Sequence, residues 1–379
     1  MEIRYRRTTA VPIITDPKSS AQIVGLRYVS GETTGMRRQK TGKGFRYIDA
    51  KGKTISDRAQ LGRIKALVIP PAWVDVWICP FENGHLQATG RDDKKRKQHR
   101  YHRRWREVRD ETKFNRMIIF AKALPKIRQH VRKDMRLAEL SRKKVLATIV
   151  RLLEVSLIRV GNEEYARNNN SFGLTTMKDR HAAVNGSKVR FEFRGKSGKQ
   201  HSIDIQGKRL AKIVKHCQDL PGQDLFQYIN GDGKRQDVKS EDVNEYLREI
   251  SGEDFTAKDF RTWAGTVLAA IALQEFEKFD TQTQAKKNLV QAIESVARKL
   301  GNTPAICKKC YVHPAIFDSY LDGTMLNTVK QRAESRMKTS LNKLRPEEAA
   351  VLSLLQQRLT KEREPLEKTL RRSLTKVKR

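Results

Sequence analysis

KVRFEFRGKSGKQHSIDIQG (188–207) decides the fold. Val189, Phe191 and Phe193 alternate with polar residues on one side of Gly195-Lys196-Ser197-Gly198, and Ile203 and Ile205 do so on the other. A side-chain period of two is that of a half-buried strand, so the two arms predict a hairpin with glycines on both sides of Lys196. Around this hairpin the period lengthens to three or four. Residues 113–135 and 142–159 precede it as helices; 208–217, 240–251, 257–276 and 281–301 follow, the last stopped by Gly301. SEDV (240–243) opens its helix with a capping serine and acids in the first turn. Upstream the pattern differs. GLRYVS (25–30), GFRYIDAKGKTIS (44–56), which turns at AKG, the run at 65–80 broken at Pro70-Pro71, and GHLQATGRD (84–92) read as short strands. The chain is therefore α+β: a basic arm (1–20), a small β-rich N-terminal domain (21–108), a larger mainly α-helical domain carrying the hairpin (109–345) and a basic helical C-terminal tail (346–379).

Of the 379 residues, 78 are Lys or Arg and 43 are Asp or Glu, a formal charge of +35. So one-sided an excess steers polyanions, and nucleic acid is the strongest such partner because each neutralised phosphate releases counterions. No apolar stretch reaches the ~20 residues of a membrane helix, and VPII (11–14) is too short for a signal-peptide core. The expectation is a soluble cytoplasmic, nucleoid-associated protein. The most basic stretch, RDDKKRKQHRYHRRWREVRD (91–110), interleaves Tyr101 and Trp105 with arginines and Gln98. It reads as a groove-contacting element, with Arg100 among its phosphate contacts, and as the hinge into the next domain.

Five residues in separate segments form a set for attack on a phosphodiester: Arg159 in LIRVGNEEY, Lys196 in FRGKSGKQH, Arg261 in AKDFRTWAGT, and Asn302 and Tyr311 in LGNTPAICKKCYVHP. A phenol supplies a nucleophile. Planar guanidiniums meet nonbridging phosphoryl oxygens bidentately and keep their charge. A lysine among cations can release a proton to a leaving oxygen, and an amide can donate one more hydrogen bond. Lys308 and Lys309, just before the tyrosine, add positive charge for DNA. Taken singly, each residue has a plainer reading as surface charge, turn or core; the set carries the argument.

No clustered carboxylates suggest a metal, and no GxxxxGK[ST] pattern suggests a nucleotide, so neither metal nor cofactor is expected. Cys307 and Cys310 lack the second pair a zinc site needs; with Cys79 and Cys217 they read as ordinary thiols.

GHLQATGRDDKKRKQHRYH (84–102), RVGNEEYARNNNSFGLTTM (159–177), FRGKSGK (193–199), AKDFRTWAGT (257–266) and GNTPAICKKCY (301–311) together resemble, in order, the blocks of the type IB DNA topoisomerases, in the small poxvirus-like form found in bacteria. The resemblance runs from about Gly25 to Tyr320. It implies the fold of the DNA-breaking-rejoining enzymes, with Tyr311 as nucleophile, Arg159 and Arg261 as phosphate clamps and Lys196 as general acid. It also implies DNA contacts at Lys258, Gln98, Tyr101 and Tyr165. Some members carry His where this chain has Asn302, which keeps the hydrogen bond but not a proton-exchanging role. The implied enzyme is a monomer clamping duplex DNA. It relaxes positive and negative supercoils through a 3′-phosphotyrosyl intermediate without ATP or metal. A tyrosine recombinase would share the chemistry but commonly places His where Lys258 stands; a non-enzymatic nucleic-acid-binding protein would share only the charge.

Overall fold

The structure, a computed structural model, describes residues 17–42, 44–276, 279–325 and 344–359, without the side chains of 107–112. Most of the expected basic arm (1–16) and of the tail (360–379) therefore lies outside the described residues. Two compact units divide the chain, Met1–Arg116 and Met117–Arg379.

The first unit holds α1 (Pro17–Ile23), β1 (Met36–Thr41), β2 (Gly44–Ile48), α2 (Arg58–Ala66), β3 (Val74–Ile78), β4 (Leu86–Arg91), β5 (Lys97–Tyr101) and the start of α3 (Arg103–Asp134). Its strands make one antiparallel sheet in the order β2-β1-β3-β4-β5. Met36, Val76, Ile78 and Ala88 from the sheet close a core with Ile55 and with Ile64 of α2. The sheet differs from the sequence expectation in instructive ways. GLRYVS makes only a single bridge, Arg27 to Gly84. The arm after AKG pairs with β2 through one bridge, Ile48 to Thr54; the full partner of β2 is β1, whose MRRQKT shows no apolar alternation to read. β1 is tied instead by a polar device: the Arg38 guanidinium donates to the carbonyls of Ile69 (3.3 Å), Pro70 (3.0 Å) and Trp73 (2.5 Å), fixing the Pro-Pro corner.

The basic stretch is a structured hairpin running into a helix. Asp92 organises the β4–β5 turn, accepting from the backbone N–H groups of Lys94 and Arg96 (3.0 Å each) and from the side chains of Arg96 (2.8 Å) and Gln98 (2.9 Å). Trp105 is buried against Ala21 and Leu26, edge-on to His85, so its ring belongs to the core and is not free to stack on a sugar. The boundary expected at 108/109 falls inside the unbroken α3, and the division between the units comes at 116/117.

In the second unit α3 continues into α4 (Arg142–Ser156), α5 (Glu163–Asn169), β6 (Ala182–Asn185), β7 (Lys188–Arg194), β8 (Gln200–Gln206), α6 (Lys208–Gln218), β9 (Gln227–Ile229), β10 (Arg235–Asp237), α7 (Ser240–Ser251), α8 (Ala257–Gln274), α9 (Gln282–Leu300), α10 (Pro304–Cys310) and α11 (Pro314–Leu321). A further helix, α12, spans 346–359. Every residue of α4 from Lys144 to Val150 is buried, as a central helix requires. β7 and β8 form the expected hairpin, with β6 added at its edge. Lys239, not Ser240, caps α7: its backbone N–H donates to Asp242 (2.8 Å). α12 is no separate tail, because Glu348 at its start is buried and takes both Nη groups of Arg128 on α3 (2.8 and 2.7 Å). The chain is α+β, a small β-rich unit followed by a mainly helical one that carries a hairpin.

Candidate active site

Local sequence places each chemical group before tertiary packing brings them together. α9 ends at Gly301, whose φ of 60° suits glycine, and the Asn302 N–H closes back on the Ala297 carbonyl (3.0 Å). Thr303 then caps α10, with Pro304 in its first turn. The five residues LGNTP thus stop one helix, present one amide side chain and start another. Tyr311 is the residue that ends α10, half-buried, with its N–H on the Cys307 carbonyl (3.0 Å).

α8 supplies the floor beneath it. The Asp259 carboxylate fixes the start of α8 by accepting from the Thr256 N–H (2.7 Å) and hydroxyl (3.1 Å). Arg261 and, one turn on, the adjacent Gly265 and Thr266 all face Tyr311. The Arg261 guanidinium is buried and lies 5.3 Å from the Tyr311 ring centroid. A Cβ on Gly265 would come 2.7 Å from the Tyr311 carbonyl oxygen, so only glycine lets that backbone so close. The buried Thr266 hydroxyl meets the Tyr311 carbonyl (3.2 Å) and accepts from the His313 N–H (3.1 Å), pinning both sides of the tyrosine.

Arg261 is anchored by two carbonyls. Nη1 donates to Leu157, a left-handed residue (φ 58°) that turns its carbonyl out at the end of α4, and Nη2 donates to Leu300 (2.6 Å). Two residues beyond Leu157, Arg159 donates through Nη2 to Asn302 Oδ1 (2.5 Å). The Arg159 loop is held by Leu174 N–H on the Arg159 carbonyl (2.9 Å) and by Thr175 N–H on that of Val160 (2.6 Å). The Asn302 oxygen being occupied, its Nδ2 must donate, yet Nδ2 and Arg261 Nε are both buried without a hydrogen-bond partner. Leaving such donors unmet costs about 1–3 kcal/mol each. Burial, then repulsion by Arg261, pushes Arg159 below the ordinary guanidinium value, with Tyr311 opposing. Burial does the same to Arg261, again against Tyr311. Among the described residues neither arginine is ion-paired to a carboxylate. Two guanidiniums and an amide therefore converge beside a phenol, with donors to spare for an anion.

Lys196 stands at the exposed tip of the β7–β8 hairpin, where Ser197 and Gly198 take positive φ. Together with Arg159, Arg261 and Lys299 it lines one cleft. Lys199, behind it, donates to the Asn302 carbonyl (3.4 Å), and His201 lines the same cleft from β8. All five residues of the expected set thus belong to one neighbourhood. The expected DNA contacts vary. Lys258 is exposed on the first turn of α8, Tyr165 is 48% exposed on α5, and Lys308 and Lys309 are exposed on α10. Gln98 is engaged by Asp92, Arg100 donates to the Val68 carbonyl (2.8 Å), and Tyr101 stacks on His99 (5.7 Å between centroids).

Sequence reading missed Gly265, Thr266, Lys299 and His201. The last had a signal: His201 falls in phase with Ile203 and Ile205, on the strand face that points inward. All four cysteines are free; burial pushes Cys307 up to about 11 against the pull of Arg261. Among the described residues no group of three or more His, Cys, Asp or Glu side chains could hold a metal, and no helix is long and apolar enough to cross a membrane.

Residues 102–340 match the family model described as eukaryotic DNA topoisomerase I, catalytic core, and residues 44–92 match that of the bacterial DNA topoisomerase IB N-terminal domain. The chain is 33% identical over 285 residues to DNA topoisomerase 1B of Acanthamoeba polyphaga mimivirus, covering 73% of this chain and 85% of that protein. It is 21% identical over 248 residues to DNA topoisomerase 1B of vaccinia virus (strain Copenhagen), covering 65% and 76%. With DNA topoisomerase 1 of Mycosarcoma maydis it shares 23% identity over 188 residues, 45% of this chain and 18% of that one.

Proposed function

We propose a reaction for this chain from one premise: it belongs to the type IB DNA topoisomerases, and so is an isomerase acting on DNA. Tyr311 Oη attacks a backbone phosphorus of one strand. A P–O bond to tyrosine forms, the bond to the 5′ oxygen breaks, and the strand is left with a 3′-phosphotyrosyl ester and a 5′ hydroxyl. The phenolic proton passes to solvent and Lys196 gives a proton to the departing 5′ oxygen. Arg159 and Arg261 neutralise the nonbridging oxygens, and Asn302 donates to one of them. One phosphodiester replaces another, so the bond energy is kept and no nucleotide is consumed. Rotation of the freed end removes supercoils of either sign, and the 5′ hydroxyl then attacks back.

The observation that carries this reading is the pair of buried, unpartnered donors, Arg261 Nε and Asn302 Nδ2, beside a phenol whose ring lies 5.3 Å from a guanidinium. The +35 charge supports duplex DNA as the partner. Lys258, Tyr165, Lys308 and Lys309 would meet it from exposed positions, whereas Gln98, Arg100 and Tyr101 would have to exchange present contacts for it. The protein acts as a monomer, since one tyrosine suffices for one strand, and works in the cytoplasm at the nucleoid.

Relaxation of positively and negatively supercoiled plasmid in EDTA, without ATP, tests the reading. Wild type should relax both and leave a covalent adduct when stopped with denaturant. Tyr311→Phe should do neither while binding DNA nearly as well. Relaxation by Tyr311→Phe would refute it.

A further inference from the structure

A flat ring separates the two parts of the site that move a proton and hold the phosphoryl oxygen. His201 stacks on Phe193 at 5.0 Å and 15°. Its edges lie against two glycines: a Cβ on Gly195 would come 2.6 Å from His201 Cδ2, and one on Gly301 would come 2.7 Å from Cε1. Gly195 precedes Lys196, and Gly301 precedes Asn302. Real Cβ atoms do not approach so closely, so a side chain at either position would displace the ring, although Gly301 also serves its left-handed φ of 60°. Among the described residues no hydrogen bond fixes the imidazole. Contact alone seats it, while Lys199 ties the hairpin tip to the Asn302 carbonyl (3.4 Å).

We propose that His201 is a positioning residue: its imidazole is the spacer that sets the distance from Lys196 to Asn302. The proposal rests on the roles given above to those two residues. Lys196 must reach the leaving oxygen of the phosphate that Asn302 contacts, and a displacement near 1 Å can cost 10²-fold in rate. Neutrality is part of the design. Burial, then Arg159, Arg261 and Lys199, pushes His201 below the ordinary 6.5. Lys196 and Lys299 line the same cleft. On the outer side Arg180 and Arg194 add positive charge against Glu192 alone, beside His181, which burial and then Arg180 also push below the ordinary 6.5. Since the folded value is depressed, the arrangement is intact above 6.5 and is lost as pH falls through the folded value.

The test uses the full chain and a short duplex with a mapped cleavage position, made with either the ordinary 5′ oxygen or a bridging 5′ sulfur. A thiolate leaves without a proton, so the sulfur substrate does not need Lys196 in place. His201→Ala should lose about 10²-fold in single-turnover cleavage of the ordinary duplex and less than about 5-fold with sulfur. His201→Phe keeps a flat ring between the glycines and should restore most of the ordinary rate. The wild-type oxygen-to-sulfur rate ratio should drop in acid, and that of His201→Phe should not. Equal losses on both substrates in His201→Ala, or failure of His201→Phe to rescue while it forms the adduct with sulfur, would overturn the proposal. Absence of any wild-type adduct on either duplex would instead refute the topoisomerase reaction itself.

Discussion

Asn302 shows how much one amide can be asked to do. Its oxygen restrains Arg159 and its nitrogen is buried with nothing to donate to. Removing one preorganised donor to a developing oxyanion typically costs 10²–10³-fold, so Asn302→Ala should slow single-turnover cleavage by about that factor. DNA affinity, read by gel shift, should stay within a few-fold; a matching loss of affinity would mean that the amide holds the fold and not the transition state. Arg261 is equally demanding. Its planar fork reaches the carbonyls of Leu157 and Leu300 at once and still has Nε to offer. A lysine is a point charge on a flexible stem, so Arg261→Lys should lose at least about 10²-fold in cleavage despite keeping its charge; near-normal cleavage would show that charge alone suffices. Residues such as these were legible in the sequence because their chemistry is carried by type: a phenol, guanidiniums and an amide stand out in turns and helix ends. Gly265, Thr266 and His201 were not, because what they supply is clearance and spacing, and those exist only once two segments approach.

Elements explain why the tyrosine stays where the residues need it. α8 contacts it through Arg261 and, one turn further, Gly265 and Thr266, and the short α10 hands it over at its end. Thr266→Val keeps the volume of that side chain but removes the acceptor of the His313 N–H, leaving a buried donor unmet. It should slow both cleavage and religation about 10-fold and destabilise the protein by about 1–3 kcal/mol; unchanged religation would show that the pin is idle. α12 makes a separate claim on stability. Burial alone would raise the Glu348 carboxyl, but hydrogen bonds from Arg128 and from the Arg345 N–H outweigh it and hold it below the ordinary 4.5. A depressed carboxyl stabilises the fold above its unfolded value, and that contribution is lost as pH falls through the folded one. Glu348→Gln should therefore cost about 3 kcal/mol near neutral pH, the low end for a broken buried pair because Arg128 keeps Glu154 at 2.8 Å. Melting curves should show the deficit shrinking in acid; a deficit independent of pH would deny the ion pair its part. Periodicity made the long helices and the hairpin legible. It could not find β1 or α2, whose places are set by Arg38 and by the Asp57 cap, polar contacts that leave no apolar rhythm.

For the whole molecule the charge divides into two populations with opposite salt behaviour. Most of the described Lys and Arg side chains lie outside the buried core, where ions can screen them, and these govern encounter with the polyanion. Arg159, half-buried, and Arg261, buried, lie beside the phenol, where screening is weaker. Binding and chemistry should therefore separate. If ~6–10 phosphates are neutralised, affinity for plain duplex should fall by about 10³–10⁵ between ~50 and ~200 mM salt. Tyr311→Phe should follow the same line, because its phenol adds no charge to the encounter. The single-turnover cleavage rate at saturating DNA should change less than about 3-fold over that range, since the two guanidiniums proposed to neutralise the phosphoryl oxygens are half-buried and buried. The measurement is a pair of titrations, affinity by fluorescence anisotropy and rate by rapid quench, on one duplex at each salt concentration. A cleavage rate at saturation that fell in step with affinity would mean that exposed cations other than Lys196 take part in the chemical step. The two guanidiniums, with their partners Asn302 and Lys196, would then not suffice for it.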